Sequence, residues 1–135
     1  MKYMLDTNIC IYLLKQRPPQ VAMRFAECYE GEVVISTVTL AELRYGVRCC
    51  PPETRAQNEA ALNALLEVIP AIPFDEQSAN QYAEVRYATR EKKSDTLDKL
   101  IAAQAVALDV VLVTNNEADF QRYPGVKIEN WTKEQ

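Results

Sequence analysis

The sequence contains no histidine among its 135 residues, and this absence excludes several kinds of chemistry. Ser–His–Asp and Cys–His catalysis, zinc sites of the HExxH type and histidine proton shuttles all require an imidazole. Any chemistry that this protein performs must therefore rest on carboxylates, amines, hydroxyls, thiols or a metal ion bound by oxygen atoms.

Cysteine pairs and long apolar runs are also missing. No CxxC pair occurs, which disfavours zinc-binding and thioredoxin-type functions; the four cysteines are Cys10, Cys28, Cys49 and Cys50. We expect reduced thiols that pack as small apolar side chains, with a redox role for the vicinal Cys49–Cys50 pair as the alternative. No apolar run approaches ~20 residues, and the acid at position 6 comes too early for a signal peptide. The sequence thus predicts a cytoplasmic protein without a membrane span.

The composition is that of an ordinary globular protein, with 48% hydrophobic and 25% charged residues. Its length suits one domain, which we expect to occupy residues 1–135. Fifteen basic and nineteen acidic side chains give a net charge of −4. This balance disfavours nucleic-acid binding by bulk attraction, but it leaves room for a local basic patch or a metal ion that contacts phosphate.

Short apolar segments alternate with segments of helical periodicity along the chain. We predict strands at 1–5, 33–35, 110–113 and 126–128, with an edge strand or extended connector at 69–74. Predicted helices occupy 9–15, 20–29, 36–47, 53–68, 76–91, 95–108 and 119–123. This order predicts an α/β fold with a central parallel sheet of four to five short strands flanked by helices.

Four acidic residues follow separate predicted strands or open separate predicted helices: Asp6, Glu42, Asp98 and Asp119. Each has a local explanation, because each belongs to a sequence typical of a helix N-terminus. For Glu42 this explanation is incomplete, since Gly46 lies one turn further along the same face and weakens a helix. The missing side chain at Gly46 would let another backbone or a ligand approach Glu42.

Asp95 and Asp98 compete for one position in this set. On a helical wheel Asp98 borders the buried stripe, whereas Asp95 lies further round, toward solvent. The stripe comprises Leu97, Leu100, Ile101 and Leu108. We therefore predict Asp98 as the site residue and Asp95 as the helix cap. Gln104 falls within the stripe, either as a buried amide with a partner or as a cleft residue.

The four acids are interpreted together because parallel strands place their carboxyl ends at one edge of the sheet. Clustered carboxylates repel each other, which is costly unless a cation neutralises them. A site of oxygen donors without histidine favours Mg²⁺ or Mn²⁺. Such an ion lowers the pKa of bound water and stabilises phosphoryl charge, which permits hydrolysis without a histidine base.

Four ordered motifs resemble those of the PIN-domain ribonucleases, and in particular the VapC toxins of bacterial type II toxin–antitoxin pairs. The motifs are MLDTN at 4–8, STVTLAELRYG at 36–46, DKLIAA at 98–103 and VTNNEADF at 113–120, followed by Asn130–Trp131. They cover nearly the whole chain. The resemblance implies a single PIN-like α/β domain that hydrolyses RNA phosphodiester bonds.

By this resemblance, Asp6, Glu42 and Asp98 bind Mg²⁺ or Mn²⁺, and Asp119 is a fourth catalytic acid at the edge of the site. Polar support near the metal comes from Asn8, Thr114, Asn115 and Asn116. The family often carries a glycine-containing loop before the third acid. Here residues 90–97 read REKKSDTL, which leaves a contribution of Asp95 open, and Gln104 stands where many relatives have histidine.

The resemblance further implies a homodimer and a small VapB-like antitoxin whose tail occupies the cleft. It also implies an RNA substrate, with structured tRNA, and initiator tRNA in particular, as the leading candidate. Cations close to the third acid offer a patch for contacting RNA, with a solvated helix end as the alternative explanation. They are Arg86, Arg90, Lys92, Lys93 and Lys99.

Two other classes of function remain open from the residues alone. One is a Mg²⁺-dependent phosphatase with Asp6 as nucleophile, although such enzymes usually carry a second aspartate two residues later, where this chain has Asn8. The other is a non-catalytic, receiver-like binding module with an acidic pocket, although Thr-Asn-Asn follows the late strand where receivers carry a supporting lysine. Metal-dependent cleavage of RNA discriminates against both.

Overall fold

The computed structural model describes residues 1–133. The predicted domain extends to residue 135, so its last two residues lie outside the described part of the chain. In chain order the elements are β1 (Tyr3–Leu5), α1 (Thr7–Lys15), α2 (Pro19–Ala26), β2 (Val33–Ser36), α3 (Thr37–Arg48), α4 (Pro52–Val68), β3 (Ala71–Ile72), α5 (Glu76–Ala88), α6 (Thr96–Leu108), β4 (Val111–Val113), α7 (Glu117–Phe120) and β5 (Lys127–Glu129).

These strands form one parallel sheet in the order β3–β2–β1–β4–β5. β1 is central: Met4 lies opposite Val34 of β2 on one side and Leu112 of β4 on the other. All strands run in the same direction, so their carboxyl ends share one edge of the sheet. The predicted α/β class is confirmed, and the 69–74 segment supplies the edge strand β3.

Side chains of the strands alternate between two apolar cores, one on each face of the sheet. Tyr3 and Leu5 belong to the core that helices α1 to α4 cover, in which Trp131 is fully buried. Met4 and Leu112 belong to the second core, which α5, α6 and α7 cover. Helices on both faces explain why the strands are apolar throughout rather than alternating with polar residues.

Two predicted helices end earlier than expected. The helix predicted at 20–29 ends at Ala26, and the chain then turns through Gly31, whose φ of +89° is a conformation that glycine adopts without strain. The helix predicted at 76–91 ends at Ala88, because Thr89 leaves helical geometry with φ −121° and ψ 30°. This early end frees residues 89–95 as a connecting segment before α6.

A capping box between Thr39 and Glu42, one of the local explanations for Glu42, does not form. Helix α3 begins at Thr37, directly after β2, and its N-cap is Ser36. The Oγ of Ser36 accepts a hydrogen bond of 2.9 Å from the N–H of Val38. Glu42 therefore lies beyond the first turn, and its carboxylate is not occupied in capping the helix.

Predictions for the first turn of α6 were wrong in three respects. Leu97 is 46% exposed rather than part of the buried stripe. The side chains of Asp95 and Lys99 are only 5% and 4% exposed, so Asp95 does not face solvent and Lys99 is not placed to contact RNA. A helical wheel orders residues by their angle around the helix axis, and burial is inferred from which face is apolar. It therefore cannot show that two opposite charges are buried together as an ion pair.

Asp95 and Lys99 form a buried ion pair with defined partners. Nζ of Lys99 lies 3.2 Å from Oδ1 of Asp95 and donates hydrogen bonds to the carbonyls of Thr89, at 3.0 Å, and Lys92. The hydroxyl of Tyr123 donates to Oδ2 of Asp95 at 2.6 Å. Burial and the neighbouring Asp95 raise the pKa of Tyr123, so this hydroxyl keeps its proton. The pair thus ties the 89–95 segment to α6 and to the chain after α7.

The cysteines differ in their environments. Cys10 is fully buried, and burial raises the pKa of its thiol, as expected for a small core side chain. Cys49 is exposed, so the expectation that all four cysteines pack inside is wrong for this residue, while Cys28 and Cys50 are half-buried. No helix among residues 1–133 is long and apolar enough to cross a membrane.

Gln104 is the buried amide with a partner that one of its two interpretations predicted. Its side chain is fully buried, and Nε2 donates hydrogen bonds of 3.0 Å to the carbonyls of both Ile72 and Pro73. Gln104 therefore anchors the end of edge strand β3 to helix α6.

Removing one partner of the buried ion pair should destabilise the fold. We expect Lys99→Met to lower the free energy of unfolding by about 3 kcal/mol, because it leaves the charge of Asp95 buried without its cation. The double variant Asp95→Asn/Lys99→Met should recover much of that loss. Urea denaturation of the four proteins of this cycle measures the coupling. A single variant as stable as the original chain would contradict the assignment.

Candidate active site

Asp6 lies at the carboxyl end of the central strand, where the sheet geometry and the next helix fix its position. Its N–H donates to the carbonyl of Val113 at the end of β4, at 3.0 Å. Its carboxylate Oδ1 caps α1 by accepting a hydrogen bond of 3.0 Å from the N–H of Ile9. The side chain is buried, and burial raises the pKa of Asp6 although hydrogen bonds from Thr114 and Ile9 oppose the shift. Asp6 is thus both a helix cap and a site residue.

Glu42 is held toward Asp6 by Thr7, the residue next to Asp6 in the chain. Oγ1 of Thr7 donates to Oε1 of Glu42 at 2.7 Å and lies 3.5 Å from Oγ1 of Thr39. The charge of Glu42 also contributes to the raised pKa of Asp6, which places the two carboxylates in one electrostatic environment. Thr7 was not among the predicted site residues, and its only sequence signal is the hydroxyl that follows Asp6 at the start of α1.

Asp98 is the third member of the cluster and lies in the first turn of α6. Burial, followed by the charges of Asp6, Glu42, Asp119 and Asp95, raises its pKa to about 6. Three of these four neighbours are the other predicted acids. The structure therefore brings Asp6, Glu42, Asp98 and Asp119 together, with Asp98 surrounded by like charge.

Asp119 lies at the rim of this cluster on the short helix α7. Nδ2 of Asn116 donates to its Oδ2 at 2.9 Å, and Nζ of Lys92 lies 3.3 Å from its Oδ1. The hydrogen bond from Asn116, together with Lys92, holds the pKa of Asp119 below its usual value. Asp119 therefore stays charged at pH values where Asp98 is partly protonated.

The four predicted supporting residues differ in how close they come to the acids. Thr114 is fully buried, hydrogen-bonds Asp6 through its side chain and accepts from the N–H of Asn116 at 3.0 Å. Asn115 is exposed and donates to the hydroxyl of Tyr12 at 2.9 Å. Asn8 is exposed, and it is its backbone that hydrogen-bonds Asp6.

The donor set of this cluster fits a hard divalent cation. The side chains offer carboxylate and hydroxyl oxygens; burial raises the pKa values of Asp6 and Asp98, and neighbouring carboxylates add to both shifts. Within residues 1–133, no three acidic or cysteine side chains are arranged so that they could hold a metal ion by themselves. Mg²⁺ keeps several of its waters when it binds to a protein, so it does not need a complete set of protein ligands.

An apolar cavity of about 360 Å³ adjoins Glu42. Its walls come from α1, α3 and α4 and include Ile11, Leu14, Leu43 and Val47. Gly46 opens onto it, since a Cβ atom at this position would meet nothing within 4 Å. The helix-capping explanation of Glu42 does not account for Gly46. In the structure, the lack of a side chain at Gly46 leaves the space beside Glu42 open.

Comparison with known proteins agrees with this fold and cluster. The PIN domain family matches residues 3–126, and the chain belongs to that family. It is 33% identical over 134 residues to the tRNA(fMet)-specific endonuclease VapC of Shigella flexneri, an alignment that covers 98% of this chain and 99% of that protein. It is 35% identical over 136 residues to ribonuclease VapC2 of Rickettsia felis, covering 98% and 100%. Within the PIN-domain family, the chain is thus similar over its whole length to proteins of the VapC type.

Solved structures show the same relationship. The VapBC complex of Salmonella typhimurium bound to DNA superposes with a TM-score of 0.88 at 32% identity and covers 97% of this chain and 98% of that one. VapBC2 of Rickettsia felis, bound to a DNA fragment from its promoter, gives 0.87 at 34% identity, covering 97% and 99%. The resemblance drawn from the motifs is confirmed.

Repulsion around Asp98 should appear in the stability of the metal-free protein. The folded pKa of Asp98 lies above its unfolded value, so the folded state binds this proton more tightly and loses stability as pH rises toward 7. We expect Asp98→Asn to gain about 1 kcal/mol relative to the original chain between pH 5 and pH 7. Urea denaturation in EDTA at both pH values measures this gain.

The matched control is Asp109→Asn. Asp109 is an exposed carboxylate whose pKa Lys127 lowers, so its charge does not change between pH 5 and pH 7. A stability difference between Asp98→Asn and the original chain that is the same at both pH values would contradict the charge cluster.

Proposed function

We propose that this chain is a divalent-metal-dependent endoribonuclease that acts as the toxin of a type II toxin–antitoxin pair. Its leading substrate is a structured tRNA, and initiator tRNA is the first to be tested. The observation that carries the proposal is the convergence of Asp6, Glu42, Asp98 and Asp119 at one sheet edge. The name of the Shigella flexneri relative, a tRNA(fMet)-specific endonuclease, supports the choice of substrate.

Each acid has a proposed role in this reaction. Asp6, Glu42 and Asp98 hold Mg²⁺ or Mn²⁺, and Asp119 orients water or the leaving group at the rim. When bound, the ion lowers the pKa of water and stabilises charge on the phosphoryl oxygens. Thr7 holds Glu42 in place, and Thr114 holds Asp6. The buried position of Asp6 and the absence of histidine leave proton transfer to carboxylates and water.

Several cations near the cluster are suited to contact the RNA backbone. Arg86, Arg90 and Lys93 are exposed and Lys92 is half-buried, whereas Lys99 is committed to the interior. These cations offset the repulsion between an acidic site and a polyanionic substrate.

Neither alternative class of function gains support. A phosphatase with Asp6 as nucleophile finds no counterpart in the comparisons, which match proteins named ribonucleases along the whole chain. A non-catalytic receiver-like module is at odds with full-length similarity to proteins named ribonucleases.

RNA cleavage tests the proposal directly. The purified chain should cut a defined tRNA panel in the presence of Mg²⁺ or Mn²⁺ and lose the activity in EDTA. We expect Asp6→Asn to lower the cleavage rate by at least about 100-fold, because it removes charge where the cation must bind. Asp109→Asn is the matched control, since it makes the same change at an exposed position that forms an ion pair with Lys127. Equal cleavage by Asp6→Asn and the original chain would refute the proposed role of Asp6.

We also propose that the apolar cavity beside Glu42 receives the tail of a small VapB-like antitoxin, in a complex built on a homodimer of this chain. The VapBC complexes that superpose on the chain support an antitoxin partner. Apolar walls next to a carboxylate suit a segment that carries both apolar residues and a cation, because the cation then faces Glu42.

Filling the cavity should separate antitoxin binding from catalysis. We expect Gly46→Phe to weaken neutralisation by a co-expressed cognate antitoxin at least 10-fold, since the new ring occupies the space open at this position. Gly46→Ala is the control and should be neutralised normally. The readouts are growth on induction and RNA cleavage by purified complexes. Normal neutralisation of an active Gly46→Phe would remove the cavity from the antitoxin interface.

A further inference from the structure

A second cavity, of about 170 Å³, is lined by elements that cover the other face of the sheet from α1, α3 and α4, which line the apolar cavity. It is formed by the carboxyl-terminal half of α5, the 89–95 segment and the first turn of α6. The side chains that line its opening are mostly cationic and include Arg86, Arg90, Lys92 and Lys93, with Tyr82 and Thr96 between them. This set is called the basic cavity below.

Two kinds of cation are present in the basic cavity. Lys99 at its floor is neutralised by Asp95, and Lys92 lies 3.3 Å from a carboxylate oxygen of Asp119. Arg86, Arg90 and Lys93 take part in none of the ion pairs within residues 1–133. Three positive charges therefore converge on one small space without a neutralising carboxylate.

The arginines are placed by contacts that leave positive charge available. The guanidinium of Arg90 lies over the ring of Tyr87, 4.3 Å from its centroid, and its Nη1 donates to the carbonyl of Tyr87 at 2.8 Å. Arg86 lies 6.0 Å from the ring centroid of Tyr82. Cation–π contacts restrict a side chain without cancelling its charge, so both arginines are partly ordered for a ligand.

The buried ion pair fixes the remaining wall. Nζ of Lys99 donates hydrogen bonds to the carbonyls of Thr89 and Lys92, and the hydroxyl of Tyr123 donates to Asp95. These contacts determine the course of the 89–95 segment, which carries Lys92 and Lys93. The negative ends of two peptide groups are thereby turned toward Lys99 and away from the opening of the basic cavity.

The basic cavity adjoins the acidic cluster at two points. Lys92 contacts Asp119 directly, and Thr96 precedes Asp98 by two residues in the same helical turn. A nucleic-acid strand whose scissile phosphate lies at the acids would therefore pass next to the basic cavity. The cations of the basic cavity would attract a flanking phosphate, whereas the carboxylates of the cluster repel the scissile phosphate.

We propose that the basic cavity binds a backbone phosphate that flanks the scissile bond of the RNA, through Arg86, Arg90 and Lys93. This inference rests on the proposed ribonuclease function and adds a binding subsite to it. An unneutralised cluster of cations favours a phosphodiester over an apolar protein segment, because each phosphate contact releases counterions from the nucleic acid.

The test uses the full-length chain with Asp6→Asn, which is expected to cut RNA too slowly to disturb a binding measurement, and a 5′-fluorescein-labelled tRNA. Adding Arg86→Gln, Arg90→Gln or Lys93→Gln should weaken binding about 3–10-fold each and lower the slope of log affinity against log salt by about one. Lys127→Gln is the matched control for Lys93→Gln, since Lys127 is an exposed lysine that begins β5 and so lies at the amino ends of the strands, away from the carboxyl ends that carry the acids.

Kinetics of the same substitutions in the catalytically intact chain complete the test. We expect KM to rise by a similar factor, with kcat within about twofold, since the acids are unchanged. RNA affinity and salt slope equal to those of the Lys127→Gln control would overturn the subsite. A changed oligomeric state with unchanged RNA affinity would also overturn it and assign this face to contact between copies of the chain.

The outcomes separate this inference from the proposed function. Loss of binding in the cavity variants of a chain that cuts no RNA would support RNA phosphate binding in the basic cavity but refute the nuclease. Cleavage by the original chain with unaltered binding in all three cavity variants would support the nuclease and refute the subsite.

Discussion

Mutual repulsion of four carboxylates at one edge of a parallel sheet is the constraint around which this structure is arranged. Burial, followed by the charges of Asp6, Glu42, Asp119 and Asp95, raises the pKa of Asp98 to about 6. The opposing contacts come from the backbone and from single hydroxyls: β1 is joined to β4 through the N–H of Asp6, and Thr7 holds Glu42. These contacts hold Asp6 and Glu42 in place without supplying positive charge, whereas Lys92 pairs with Asp119 at the rim of the cluster. That combination of fixed position and unsatisfied charge is what prepares a protein site for a cation.

The parts of this site that follow a repeating rule could be predicted from sequence, and the parts that depend on one tertiary contact could not. β1 and β2 are apolar runs that end just before Asp6 and just before α3. In a parallel sheet the carboxyl ends of such strands lie at one edge. Asp95 was misplaced because its burial depends on Lys99 and Tyr123, the second of which lies 28 residues away. Thr7 was missed for the same reason, since its partner Glu42 is 35 residues distant.

Net charge alone gave a misleading view of the substrate. The value of −4 combines an acidic cluster with a basic cavity that adjoin each other at the Lys92–Asp119 pair. A polyanion that approaches this surface is attracted by the cations of the basic cavity and repelled by the adjacent carboxylates. Such a boundary orients a ligand more strictly than a uniformly basic surface, because only one placement satisfies both signs. The overall charge of a small enzyme is therefore a weak guide to its ligand when opposite charges are segregated.

The hydrogen bonds around β3 have a consequence for how this molecule can associate. Pro70 and Pro73 flank the strand and have no N–H, the N–H of Phe74 donates to Thr37, and Gln104 occupies the carbonyls at the strand's end. Few main-chain groups are left there for a foreign strand, which is how natural sheets resist edge-to-edge aggregation. The sheet is thus protected at this edge against a further strand, and contact on this side has to use side chains.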